Sequence, residues 1–136
     1  MLLPSSFKEQ LGEALAEGLV LRPGLFETCL DVYGRDDWRK LQEKLGKLNP
    51  FKKENQMITR RINAGARLVN MDGSGRLQIP KDLVEKCGLI KEVVITSLPD
   101  RMQIWGKEKM DESNAQMTDE EFSQLLEDRL GNIDFE

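Results

Sequence analysis

The sequence predicts an α+β fold made of two tandem copies of one small unit, joined by linker helices and followed by an acidic C-terminal helix. Three observations predict it. The same order of events occurs twice along the chain: an apolar run, a turn, an alternating strand, then an aromatic-Gly-basic-acidic step into a charged segment. Tyr33-Gly34-Arg35-Asp36 answers Trp105-Gly106-Lys107-Glu108. Between the copies the apolar residues recur at helical spacing, and the last stretch carries a helix-start signature of its own.

In the first copy, Leu3-Pro4 precedes Phe7 and Leu11 at helical spacing. Gly18-Leu19-Val20-Leu21 is the apolar run, Arg22-Pro23-Gly24 the turn, and Cys29-Leu30-Asp31-Val32-Tyr33 the alternating strand. Asp36 or Asp37 is placed to cap a helix with the stripe Trp38, Leu41, Leu45 and Leu48. Asn49-Pro50 stops that helix, and Pro50 suits the first turn of another through Lys52 to Ile62. The second copy opens with a strand, Arg67 to Met71, a tight Asp72-Gly73-Ser74-Gly75 turn, and a returning strand with Leu77 and Ile79 on one face. Pro80 suits a helix start and Gly88 its C-terminal cap. Glu92-Val93-Val94-Ile95, the turn Leu98-Pro99-Asp100 and the strand Arg101 to Trp105 complete the copy. Asp111 to Met117 is expected to be a flexible link, and Thr118 with Glu121 forms a capping box before Phe122, Leu125 and Leu126. The expected divisions are 1–48, 49–65, 66–110 and 111–136. The first copy begins at what corresponds to the end of the hairpin in the second, so its opening strand and turn are expected upstream of Met1. A misplaced start, a trimmed chain or real loss would each produce this, and the first ranks highest because Leu3-Pro4 and Phe7 keep residue types suited to pack under that strand.

At 136 residues, 39% hydrophobic and 32% charged, the chain can build only a modest core, which leaves room for burial against partner subunits. No apolar run approaches the roughly 20 residues of a membrane helix, and the first residues lack the pattern of a signal peptide. There is no histidine, which removes the commonest general base and metal ligand. Cys29 and Cys87 form no CxxC pair and are expected to be buried, inert thiols. Met57, Met71, Met102 and Met110 are expected to fill core or interface gaps, and Trp38 and Trp105 to occupy core positions. No nucleophile–base pair, phosphate loop or metal-ligand spacing is present, so neither catalysis nor a cofactor is expected. The net charge of −4 is segregated: residues 1–110 carry 19 Lys and Arg against 15 Asp and Glu, and residues 111–136 carry 1 against 9. A mildly basic body with an acidic tail suits an oligomer that meets DNA with its body; a solvated surface with an acidic appendage has the same charges.

The richest local chemistry lies at Asp72-Gly73-Ser74-Gly75-Arg76-Leu77-Gln78-Ile79-Pro80. Asp72 can accept backbone N–H bonds within the turn, and the glycines can take positive φ. Arg76 then emerges with its guanidinium outward, suited to a phosphate or to the O6/N7 edge of guanine. A plain hairpin bearing an arginine satisfies the same residues. The Asp-x-x-Gly-Arg-(x)3-Pro run, the short helix, Val-Val-Ile and Gln-Ile-Trp resemble the second half of the MraZ family, which belongs to the SpoVT/AbrB-like swapped-hairpin DNA binders. The resemblance runs from Leu3-Pro4 to about Met110.

That resemblance implies two AbrB-like, β-barrel-like half-units fused into a pseudo-dimer. It also implies a ring-like homo-oligomer and binding of double-stranded DNA at promoter repeats near division and cell-wall genes. The expected role is a cytoplasmic, nucleoid-associated repressor, with no membrane and no small-molecule substrate. Only Asp72, Gly75 and Arg76 match the family motif; the corresponding motif of the first half is missing. Arg60 and Arg61 can touch phosphates or pair with acids on a helix end. Arg67, taken as lying across the hairpin from Arg76, can add a phosphate contact or form an exposed cross-strand pair; Lys52-Lys53 suits a solvated helix face. The competing function is an oligomeric protein-interaction module with little DNA affinity.

Overall fold

The computed structural model describes residues 18–72 and 74–131. Among these the α+β class holds: one five-stranded antiparallel sheet, ordered β3-β1-β2-β5-β4, carries five helices. The strands are β1 (Leu19–Pro23), β2 (Leu30–Gly34), β3 (Arg67–Val69), β4 (Val93–Leu98) and β5 (Arg101–Gly106). The helices are α1 (Arg35–Gly46), α2 (Lys53–Asn63), α3 (Lys81–Lys86), α4 (Lys107–Asn114) and α5 (Asp119–Leu130). The expected helix through Phe7 and Leu11, and Gly73 in the turn, lie outside the described residues.

Alternation along the strands sorts the sheet into two faces. Leu19 and Leu21 of β1, Leu30 and Val32 of β2, and Met102 and Ile104 of β5 are buried on one face. Leu77, Leu83, Cys87 and Leu89, from the segment between β3 and β4, cover that face and complete the core. Each fully buried leucine contributes about 1.5–3 kcal/mol through the apolar surface it removes from water. The opposite face carries Val20, Arg22, Asp31, Tyr33, Gln103 and Trp105. Helix α1 is tied to it through Trp38, whose ring meets Tyr33 edge-on at 5.1 Å and 67°.

The sheet interleaves the two stretches of the chain. β1 pairs with β2 (Leu19 opposite Gly34, Pro23 opposite Leu30), and β4 with β5 (Val93 opposite Gly106, Leu98 opposite Arg101). β2 and β5 join these hairpins, with Leu30 opposite Ile104 and Val32 opposite Met102. β3 crosses over to pair with β1, Leu19 facing Val69. Gly34 and Gly106 end their strands as N-caps of the same extended backbone, φ −66° and −67°, and each starts a helix at the next residue.

Several expectations need correction. Arg22 and Pro23 belong to β1, not to a turn, and Arg22 is buried. Gly34, not an aspartate, caps α1, so Asp36 and Asp37 fall in its first turn, where they favour the positive end of the helix dipole. α2 starts at Lys53, with Pro50 outside it. Among the described residues the returning strand after Gly75 is limited to bridge residues Arg76 and Leu77, Leu77 pairing with Met71. The expected flexible link is largely helix: α4 runs to Asn114. At Gly88 (φ 67°) the expected cap is present: Leu89 N–H donates to Val84 O (3.0 Å) and Gly88 N–H to Glu85 O (3.3 Å), the paired closure of a Schellman end. Thr118 caps α5 by accepting the Glu121 N–H at 3.1 Å, while the Glu121 carboxylate accepts from the Thr118 hydroxyl.

Candidate nucleic-acid interface

Asp72 organises the turn that presents Arg76. Its Oδ1 accepts the N–H of Ser74 and of Arg76, each at 2.9 Å. Its backbone N–H donates to Arg76 O at 3.0 Å, and its carbonyl accepts the Gly75 N–H at 3.1 Å. Gly75 sits at φ 79°, where an L side chain is disfavoured by about 1 kcal/mol or more. The Arg76 N–H, joined by that of Ser74, holds the Asp72 carboxyl below its ordinary range. A group depressed in this way adds stability above its ordinary pKa, and that contribution is lost as pH falls through the lowered value.

On the far side of the turn Leu77 is buried, and Met71, its bridge partner, packs against the core. With Leu77 held inward, the alternation turns Arg76 outward. Its side chain is exposed, and the guanidinium forms no hydrogen bond or ion pair among the described residues. A fixed backbone therefore displays a five-donor planar cation that is in no ion pair among the described residues, its charge acting at longer range on Asp72, and that matches a phosphate or a guanine edge.

Arg67 is placed differently. The Met71–Leu77 bridge puts Asp72, not Arg67, opposite Arg76, so Arg67 stands at the base of the hairpin. There it grips Asp82 of α3 with both arms, Nη1 to Oδ1 at 2.8 Å and Nη2 to Oδ2. The contact holds the Asp82 carboxyl below its ordinary range. Both side chains are about half exposed, so the pair itself contributes only ~0–1 kcal/mol, but it ties β3 to the helix that follows the turn. Arg60 and Arg61 lie in the last turn of α2, exposed, and neither side chain is in an ion pair among the described residues.

One charged cluster escaped the sequence reading. Arg22, Asp31, Gln103 and Thr96 stand opposite one another across β1, β2, β5 and β4. Asp31 lies 3.6 Å from the Arg22 guanidinium and 3.5 Å from that of Arg101, and accepts from Gln103 Nε2 at 3.0 Å. Arg22 also donates to the carbonyl of Arg61 at 3.2 Å, fastening the end of α2 to the sheet. Arg101 lies 5.7 Å over the Tyr33 ring. This buried network supports the frame and is not an exposed contact. Both cysteines are buried; burial pushes the Cys29 thiol to about 12 and the Cys87 thiol to about 11, the opposite of an activated thiolate.

The family described as "MraZ protein, putative antitoxin-like" matches residues 62–133 of this chain. A protein of Christiangramia forsetii named "Transcriptional regulator MraZ" is 38% identical over 136 residues, covering 100% of this chain and 87% of that protein. The chain belongs to the MraZ family. Proteins of the same name from Flavobacterium psychrophilum and Caldanaerobacter subterraneus are 35% and 36% identical, covering 98% and 93% of this chain and 84% and 85% of theirs. The family match contains the whole Arg76 turn together with α3, β4, β5, α4 and α5.

Proposed function

We propose that this chain is a DNA-binding transcription regulator of the MraZ type. In this reading it is a repressor that acts as a homo-oligomeric ring on repeated promoter elements near division and cell-wall genes, in the cytoplasm at the nucleoid. It needs no cofactor, membrane or small-molecule substrate and performs no catalysis. The observation that carries the reading is the exposed Arg76 guanidinium on a turn made rigid by Asp72 and Gly75. The names of the relatives support the regulatory role. Useful affinity comes from several copies of this turn engaging several repeats at once. Arg60 and Arg61 add sequence-independent phosphate attraction. Arg67 is a reserve contact only if it releases Asp82.

The pairing of β2 with β5 supports a pseudo-dimer of two AbrB-like units, 1–48 and 66–110, around the linker helix at 49–65. By the repeat, Leu30 corresponds to Met102 and Val32 to Ile104, and the observed partners are Leu30 with Ile104 and Val32 with Met102. That reciprocal register is what two equivalent strands make about a local two-fold axis.

Arg76→Ala tests the function. In a mobility shift on the promoter fragment upstream of the gene, each lost base contact costs ~1–3 kcal/mol, and repetition around an oligomer multiplies the effect. We expect sequence-selective binding to vanish with an unchanged melting temperature. Equal affinities of wild type and variant at moderate salt would overturn the DNA-reading role and favour a protein-interaction module.

A further inference from the structure

Helix α2 has no buried residue, although its sequence is amphipathic. Met57 and Ile58 are 49% and 44% exposed, and Phe26, on the β1–β2 turn beside them, is 95% exposed. Two hollows of about 530 and 300 Å³ meet along this surface, and Ile58 and Arg61 line both. Together they form one apolar trough with Glu54, Arg60 and Arg61 on its rim, a net positive edge. Contiguous exposed apolar surface rimmed by charge is a mark of an interaction site.

Helix α5 presents the complementary character. It also has no buried residue, and Phe122 is 56% exposed beside Leu125 at 38%. Phe122, Leu125 and Leu126 stand at i, i+3 and i+4, the spacing by which a helix lays its apolar face into a groove. Asp119, Glu121 and Asp128 flank that stripe, Glu120 and Glu127 lie on the opposite side of the helix, and Arg129 falls within the stripe between Leu125 and Phe122. None of these carboxylates is in an ion pair among the described residues, and neither is Arg60 or Arg61. The trough and the stripe are both open in the same chain.

We propose that α5 of one copy docks into the α2 trough of a second copy, its acidic flanks meeting Arg60 and Arg61. Each copy then keeps one free trough and one free α5, so the contact is head-to-tail and propagates until a ring closes. This deepens the oligomeric part of the function proposed above and does not depend on DNA binding. It assigns the acidic tail to assembly and keeps its negative charge engaged with a basic rim.

Sedimentation velocity on the full-length protein without DNA tests this. Wild type should sediment as an assembly of several chains, and the pair R60E/R61E should fall to the protomer. The pair E121K/D128K should fall equally. Equimolar mixing of these two proteins restores opposite charges at both contacts, so it should rebuild the assembly, which unfolded variants would not do. Persistence of the assembly in either single pair would overturn the proposal, as would failure of the mixture when both proteins show the wild-type circular dichroism melt. Cross-linking of mixed 14N and 15N chains should join α5 to α2 between copies. Cross-links confined to one chain would show the tail folded on its own body and would also overturn it. Arg76→Ala should leave the assembly intact, which separates a failure of this contact from a failure of DNA reading.

Discussion

Replacing Asp31 with asparagine keeps the shape of the side chain and removes one charge from the most enclosed electrostatic site in the described fold. Arg22 and Asp31 are 3% and 2% exposed, and two guanidinium groups face the single carboxylate. Among the described residues, Arg22 Nε and Nη1 and Arg101 Nε have no hydrogen-bond partner. Burial lowers the pKa of Arg22 despite the attraction of Asp31, so this cation already pays for its desolvation. Removing one partner of a buried pair costs about 3–5 kcal/mol, because the other charge is left uncompensated. Arg101 has 27% of its side chain exposed and can turn towards water, so the penalty rests on Arg22 and belongs at the lower end, ~3 kcal/mol. Arg22→Met removes the desolvated charge and leaves Asp31 with Arg101 and Gln103 but loses the bond to the Arg61 carbonyl, so it should cost about 1–2 kcal/mol, still less than Asp31→Asn. The double variant should be more stable than Asp31→Asn alone, a coupling that only a shared network produces. Urea unfolding at one fixed protomer concentration measures all three, since oligomerisation makes apparent stability depend on concentration. If Asp31→Asn costs no more than Arg22→Met, the carboxylate does not neutralise a buried charge and the reasoning fails.

Two glycine substitutions should move stability in opposite directions. A Cβ at Gly106 would lie 2.0 Å from the Gly88 carbonyl oxygen, so Gly106→Ala must push two backbone segments apart and should cost ~1–3 kcal/mol. A Cβ at Gly46 meets nothing within 4 Å at the end of α1, so Gly46→Ala should stabilise by ~0.4–1 kcal/mol. Thermal melts of the pair settle this, and a stable Gly106→Ala would contradict the close approach. The cysteines give a pH prediction. Their folded pKa values are raised above the ordinary thiol value, to about 12 and about 11, so the stability from the neutral thiols is fully present below that ordinary value. It is lost as pH rises towards the folded values. Iodoacetamide at pH 8 should label Cys29 and Cys87 only after denaturation; rapid labelling of native protein would show that the thiols are not enclosed.

Local patterns made much of this fold readable. Alternation in Cys29 to Tyr33 and Arg101 to Trp105 identified the two central strands, and Gly88 and Thr118 announced helix ends through backbone chemistry that acts over a few residues. The Asp72–Arg76 turn was readable because its hydrogen bonds close within five residues. What escaped depended on pairing between distant residues. Arg22 next to a proline suggested a turn, since arginine is rarely buried; only the register that sets it opposite Asp31 gives it a place inside. Asp31 was the available signal, an acid in a strand whose neighbours are apolar. A full ladder from the turn would set Arg67 near Arg76, whereas among the described residues the pairing is confined to the turn end, at Asp72–Arg76 and Met71–Leu77. The helix at Lys107–Asn114 was missed although the repeat contained it: Gly34 opens α1 in the same way that Gly106 opens α4.

The proposed two-unit arrangement would also account for a buried cluster that carries one carboxylate and not two. In the two-unit reading Asp31 corresponds to Gln103, and these two residues stand directly opposite each other on β2 and β5. A symmetric dimer of identical units would place two copies of one residue there. Two aspartates would set like charges side by side in a site with little water, and one would have to stay protonated. Two glutamines would leave Arg22 without a counter-charge. Two units fused in one chain, as proposed, would be free to diverge at these positions: Asp31 supplies the charge, and Gln103 supplies the donor, at 3.0 Å. Gln103 is in turn held by the Trp105 indole, whose Nε1 donates to its Oε1 at 3.1 Å. In that reading the difference between Asp31 and Gln103 has an electrostatic cause, and Arg22, held by the same carboxylate, also fastens the end of α2 to the sheet.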